Sequence, residues 1–144
     1  MTNILGEQGL IAMDDRLNVK FEENKMVYLA INNHRKKVHM YDVDGKMINT
    51  ESKKCDKALV IQEKNEIYLI ELKGCDLKKA AVQIFDTIQH INEKAVGYKI
   101  HGRIICSRIP KPDIKSSQVV RLERELAKRQ GNLKKNSKQL EENI

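Results

Sequence analysis

The chain has 144 residues, enough for one sizeable hydrophobic core and scarcely for two, so a single domain is expected. Hydrophobic residues make up 40% and charged residues 33%, but the apolar residues are clustered, which argues against a wholly disordered chain. The longest apolar runs are a few residues, far short of a membrane span, and the net charge of +7 favours polyanionic partners such as nucleic acid.

That charge is uneven. Residues 1–110 hold 18 Lys/Arg against 15 Asp/Glu, and residues 111–144 hold 9 against 5, so the excess is +3 in the body and +4 in the remainder. Cys55, Cys75 and Cys106 are odd in number and show no CxxC spacing. They read as small core residues in a reduced cytoplasm, consistent with the absence of a visible signal peptide. His34, His39, His90 and His101 are scattered and offer no zinc-ligand spacing.

In chain order, residues 1–18 show no clear period and read as an N-terminal arm or a short helix. Met26–Ile31 is apolar throughout and closed by Asn32-Asn33, a strand signature. Val38–Val43 and Lys46–Ile48 flank Asp44-Gly45, which predicts a hairpin. Ala58–Ile61 and Ile67–Ile70 are continuous apolar runs, as expected of central strands buried on both faces.

Asp76 is placed to cap a helix running to about Asn92, whose apolar face is Leu77, Ala80, Ala81, Ile84, Ile88 and Ile91. A strand over 99–109 follows Gly97 and ends at Pro110. Residues 116–130 predict a second helix with Val119, Leu122 and Leu126 inward and Gly131 at its end. Leu133 and Leu140 continue a seven-residue step from Leu126, so this helix either supports association or packs on the protein's own sheet. Residues 131–144 read as a polar basic tail that frays. The domain proper is then 19–130, in the α/β (α+β) class, with a mixed central sheet flanked by helices.

The residues that carry chemistry lie at the ends of the central hairpin. Glu71 and Lys73 are two apart and share a face on a strand. An even-length loop pairs Val60 with Leu69, Ala58 with Glu71 and Asp56 with Lys73, which puts all three charged groups on one face. Two carboxylates can hold Mg²⁺, which prefers oxygen ligands and lowers the pKa of an attacking water, while an ammonium steadies developing negative charge. The bland alternative is that Lys73 only neutralises a carboxylate at the sheet's end.

Asp56, fourteen intervening residues, then Glu71-x-Lys73 in an apolar strand followed by an Ala-containing helix resembles the signature of the PD-(D/E)xK nuclease superfamily, and in particular its small bacterial and phage members. The resemblance spans about residues 38–92. It implies a restriction-endonuclease-like core, with Asp56, Glu71 and the Leu72 carbonyl as ligands of Mg²⁺ (or Mn²⁺) and Lys73 as the catalytic lysine. Gln83, on the following helix beside Thr87, matches a glutamine that some members add to the site.

Two departures are visible. Cys55 stands where a proline often precedes the aspartate, and an N-terminal helix bearing a further glutamate is not evident, leaving Glu51, Asp44 and Asp42 as alternatives. Lys53-Lys54 and Lys78-Lys79 flank the acidic residues in sequence and are the candidate contacts to a DNA backbone. The expected function is a Mg²⁺-dependent DNA endonuclease, acting as a homodimer or with a partner protein subunit in a defence, repair or mobile-element system. The alternative is a catalytically inactive module of the same fold that binds nucleic acid or a protein partner.

Overall fold

The central strands carry continuous apolar runs because both faces of the sheet they form are covered. In a computed structural model, which describes residues 3–48, 54–72, 76–108 and 116–144, nine strands and two helices follow in the order β1 (Leu10–Asp14), β2 (Asn18–Glu23), β3 (Met26–Ile31), β4 (Val38–Asp42), β5 (Lys57–Ile61), β6 (Glu66–Glu71), α1 (Leu77–Ile91), β7 (Lys99–Cys106), α2 (Ser117–Lys128), β8 (Leu133–Ser137) and β9 (Gln139–Asn143). A six-stranded mixed sheet has the order β1-β4-β5-β6-β7-β8, and a three-stranded sheet has the order β2-β3-β9. The class is α+β, as the sequence predicts.

Side chains of one parity along the central strands (Ala58, Val60, Ile67, Leu69, Ile100, Ile104) pack with the apolar stripes of α1 and α2. Those of the other parity (Leu59, Ile61, Tyr68, Ile70, Ile105) pack with Val19, Phe21, Tyr28 and Ala30 of the small sheet. A strand covered on both faces needs no polar alternation, which is why these runs read as uninterrupted hydrophobics. The helices begin as expected. The Asp76 carboxylate accepts the Lys79 N–H at 3.0 Å, and the Ser116 hydroxyl accepts the Val119 N–H at 3.2 Å.

The hairpin register differs from expectation by two residues. Val60 pairs with Ile67 and Ala58 with Leu69, and the last pair is Ile61 with Glu66. The loop Gln62–Asn65 has four residues, but it opens as a 3-10 turn closed by Asn65 at φ 53°, whose N–H donates to the Gln62 carbonyl at 3.1 Å. Because the shift is even, every side chain keeps its face. The partner of Asp56 changes: carrying the ladder on from Lys57 and Ile70 puts Asp56 opposite Glu71.

Three further expectations are corrected. Asp44-Gly45 does form a turn, with Gly45 at φ +79°, but Lys46–Ile48 makes only an isolated bridge from Ile48 to Asp44. Residues 1–18 are not simply an arm, because β1 pairs antiparallel with β4. The tail does not fray: β8 lies parallel to β7 and β9 lies parallel to β3. With Leu133 and Leu140 on strands, no heptad continues past α2, and Val119, Leu122 and Leu126 are spent on the protein's own core.

Gly131 ends α2 by a different device from the one its sequence position suggests. The left-handed residue is Gln130 at φ 60°, while a Cβ on Gly131 would stand 1.7 Å from the Ile100 carbonyl oxygen. Backbone meets backbone here, so no rotamer change can relieve the clash. Gly131→Ala is therefore expected to destabilise the fold by about 3 kcal/mol or more. Gln130→Gly is expected to be neutral or to stabilise by up to about 1 kcal/mol. Urea unfolding of the two variants checks both.

Candidate active site

Asp56 immediately precedes β5 and Glu71 ends β6, so the sheet delivers both carboxylates to one end of one hairpin. Strand parity places them on the helix-facing side with Ala58 and Leu69. Both are buried, with 6% and 3% of their surface exposed. Burying two carboxylates side by side is costly unless each is hydrogen-bonded. The two strands meet that cost reciprocally. The Asp56 N–H donates to Glu71 Oε1 at 3.1 Å, and the Leu72 N–H donates to Asp56 Oδ2 at 2.8 Å.

Helix α1 fixes the approach to this pair. The Cys55 N–H donates to Thr87 Oγ1 at 3.0 Å, and the Thr87 hydroxyl donates to the Gln83 carbonyl at 2.7 Å. The Cys55 thiol is fully enclosed, and burial pushes its pKa well above the ordinary thiol range, so it is inert packing and not a nucleophile.

The alternatives for a further acidic ligand divide cleanly. Asp42, with Glu23 at 3.2 Å, is ion-paired to Lys57, and its interaction offsets the desolvation that would lower the Lys57 pKa. Asp44 Oδ1 accepts the Lys54 N–H at 2.9 Å. Glu51 lies outside the described residues, as do Lys53 and Lys73. Lys54 is itself buried at 6% exposure, so it does not offer a surface grip, whereas Lys78 and Lys79 are exposed on α1. The Gln83 side chain, half-buried, lines a groove with Asp76, Lys78, Lys79 and Gln118.

A hard divalent cation asks for oxygen donors and tolerates retained waters. Asp56 and Glu71 supply two carboxylates on one face, and that donor chemistry fits. Among the described residues no cluster of three His, Cys, Asp or Glu side chains suited to a metal is found, so a metal here would rest on the acid pair with backbone or water oxygens. The Leu72 N–H is on Asp56, which ties the residue expected to offer its carbonyl directly to the pair.

Sequence reasoning gives Thr87 no role beyond its place beside Gln83. Its position on the apolar face of α1 is the available signal, because a buried hydroxyl there needs a partner across the interface. Among the described residues no helix is long and apolar enough to cross a membrane. Comparison of the chain with protein-family models, with curated proteins and with solved structures found no match.

Proposed function

We propose that this protein is a Mg²⁺- or Mn²⁺-dependent DNA endonuclease that hydrolyses phosphodiester bonds at Asp56, Glu71 and Lys73. The observation that supports it most is the buried, mutually bonded pair of carboxylates at the end of a hairpin, a placement that a purely structural core would fill with apolar residues. Asp56 and Glu71 hold the cation, with the Leu72 carbonyl as the backbone donor the resemblance implies. When bound, the metal polarises the phosphate and lowers the pKa of a coordinated water. Lys73, two residues beyond Glu71 in sequence, orients that water or balances the charge that develops on the phosphate. Gln83 supports it from α1, and Lys78 and Lys79 hold the backbone of the bound strand.

Plasmid nicking in Mg²⁺, Mn²⁺ and EDTA tests the reading. Cleavage in either metal and none in EDTA is expected, and inactivity in both metals overturns it. Metal binding also stabilises the native state by mass action, by about 2.7 kcal/mol when free metal is a hundredfold above its dissociation constant. A rise in Tm with millimolar Mn²⁺ is expected for the wild type and not for Asp56→Asn.

One observation favours the second reading, a non-catalytic module that binds nucleic acid or a partner protein. Each carboxylate already serves the opposing strand's backbone, which is a structural use. A protein that retains DNA in a mobility shift but never nicks it belongs to that class.

A further inference from the structure

The outer groove between α1 and α2 carries a line of cations that the acid pair does not account for. Both helices return from the ends of successive parallel strands, β6 and β7, so they run side by side in the same direction away from the Asp56–Glu71 end. Arg121, Arg124 and Lys128 lie at i, i+3 and i+7 along α2, one stripe of a helical period, and all three are exposed.

Three hollows follow one another along this groove. The first, beside the start of α1, is lined by Lys78, Lys79 and Gln118. The second adjoins it at Ser117 and is lined by Arg121, Arg124 and Lys128. The third shares Lys128 and adds Lys99 and Tyr98.

A solvated face normally interleaves its charges as i,i+4 pairs. Among the described residues, Lys79, Arg124, Lys128 and Lys99 make no ion pair. Arg121 instead lies 3.9 Å above the Phe85 ring. Of the described carboxylates lining the groove, Glu125 is held by Arg129 at 3.0 Å and Asp76 caps α1, which leaves Asp86 as the remaining anion.

We infer that this groove is a phosphate track for a nucleic-acid strand, running from the end of the sheet that carries the acid pair toward Lys99. The inference deepens the nuclease reading and rests on it for the identity of the polyanion. Twelve residues of α2 extend about 18 Å at 1.5 Å per residue. That matches about five steps of a duplex strand at 3.4 Å each. Such a track gives affinity and register and does not read sequence.

The test measures binding in EDTA, where no cleavage occurs, by anisotropy of a labelled duplex over a salt series. Wild type is compared with the triple variant Arg121→Gln, Arg124→Gln, Lys128→Gln and with the single control Lys46→Gln. Gln is a good helix former, and a thermal melt verifies the fold. Losing three phosphate contacts should flatten the slope of log K against log salt by about 2.7 and weaken binding near 0.1 M salt on the order of 10²-fold. A triple variant with the wild-type slope overturns the track, as does wild-type binding to anionic lipid vesicles but to no nucleic acid. A flattened slope in the triple variant, beside a wild type that never nicks DNA, overturns the nuclease reading and leaves the track standing.

Discussion

Asp56→Asn and Glu71→Gln are each expected to lower metal-dependent cleavage on the order of 10³-fold while leaving the fold in place. Both substitutions keep an oxygen where the structure uses one. An amide oxygen in place of the Asp56 carboxylate can still accept the Leu72 N–H, and one in place of the Glu71 carboxylate can still accept the N–H of residue 56. What they remove, on the proposed reading, is the negative charge that would hold a divalent cation, worth several kcal/mol at the transition state, and 1.36 kcal/mol is a tenfold change in rate. Lys73→Ala should abolish cleavage with the Mn²⁺-induced rise in Tm intact, because in the proposed mechanism the lysine acts on water or phosphate and not on the metal. Single-turnover nicking and thermal melts on the same preparations decide it. An Asp56→Asn protein that cuts like wild type would sink the site.

The second large effect concerns stability. Arg103, with 2% of its surface exposed, sits between the two sheets, where its Nε donates to Glu142 Oε2 at 2.7 Å. Its Nη1 donates to the Gly102 and Asn132 carbonyls and to Asn132 Oδ1. Tyr28 donates its hydroxyl to the same Glu142 oxygen at 2.7 Å, and Lys134 pairs with the other at 2.9 Å. Removing one partner of such a pair strands a buried charge. Glu142→Gln or Arg103→Met should therefore cost about 3–5 kcal/mol, or on the order of 10 °C in Tm for a chain of this size. The double variant should lose less than the sum of the singles.

The same pair gives a pH dependence. Burial pushes the Glu142 carboxyl up, but hydrogen bonds from Arg103 and Tyr28 and the nearby positive charge outweigh it and hold the group below its ordinary 4.5. A carboxyl with a lowered folded pKa contributes stability above its unfolded value and loses it as the pH falls through the folded one. Below pH 4.5, then, wild type should lose stability faster than Glu142→Gln. His101 adds to the slope at higher pH. Its burial lowers its pKa below 6.5 despite the Glu66 carboxylate 2.9 Å away, so protonation favours the unfolded chain as pH drops through that range. Urea midpoints measured from about pH 7 down to about pH 3.5 check both.

Much of this architecture is legible in the sequence where local pattern and burial agree. The strands β3, β4, β5 and β6 show as apolar runs, and α1 is bounded by its cap and its stripe. The common face of Asp56 and Glu71 follows from parity alone, so it survives a register that differs by two. What escapes is set by tertiary context. Residues 133–143 contain two apolar side chains among lysines, glutamates and asparagines, and no local propensity makes them strands; the open edges of β7 and β3 do. The role of Arg103 inside an apolar strand is not legible in the sequence, because its partner Glu142 lies in the segment expected to fray.

The pairing of β9 with β3 has a kinetic consequence. Tyr28 and Glu142 are 114 residues apart, yet the small sheet is complete only when they meet. Closing so long a loop costs chain entropy before any contact returns it, and non-local pairing of this kind slows folding. Until β9 pairs with it, the hairpin of β2 and β3 has an open edge at β3. An unpaired apolar edge of this kind is a template for other chains. Refolding yield should accordingly fall with protein concentration, and the fall should steepen in Glu142→Gln, where the late strand is held less firmly.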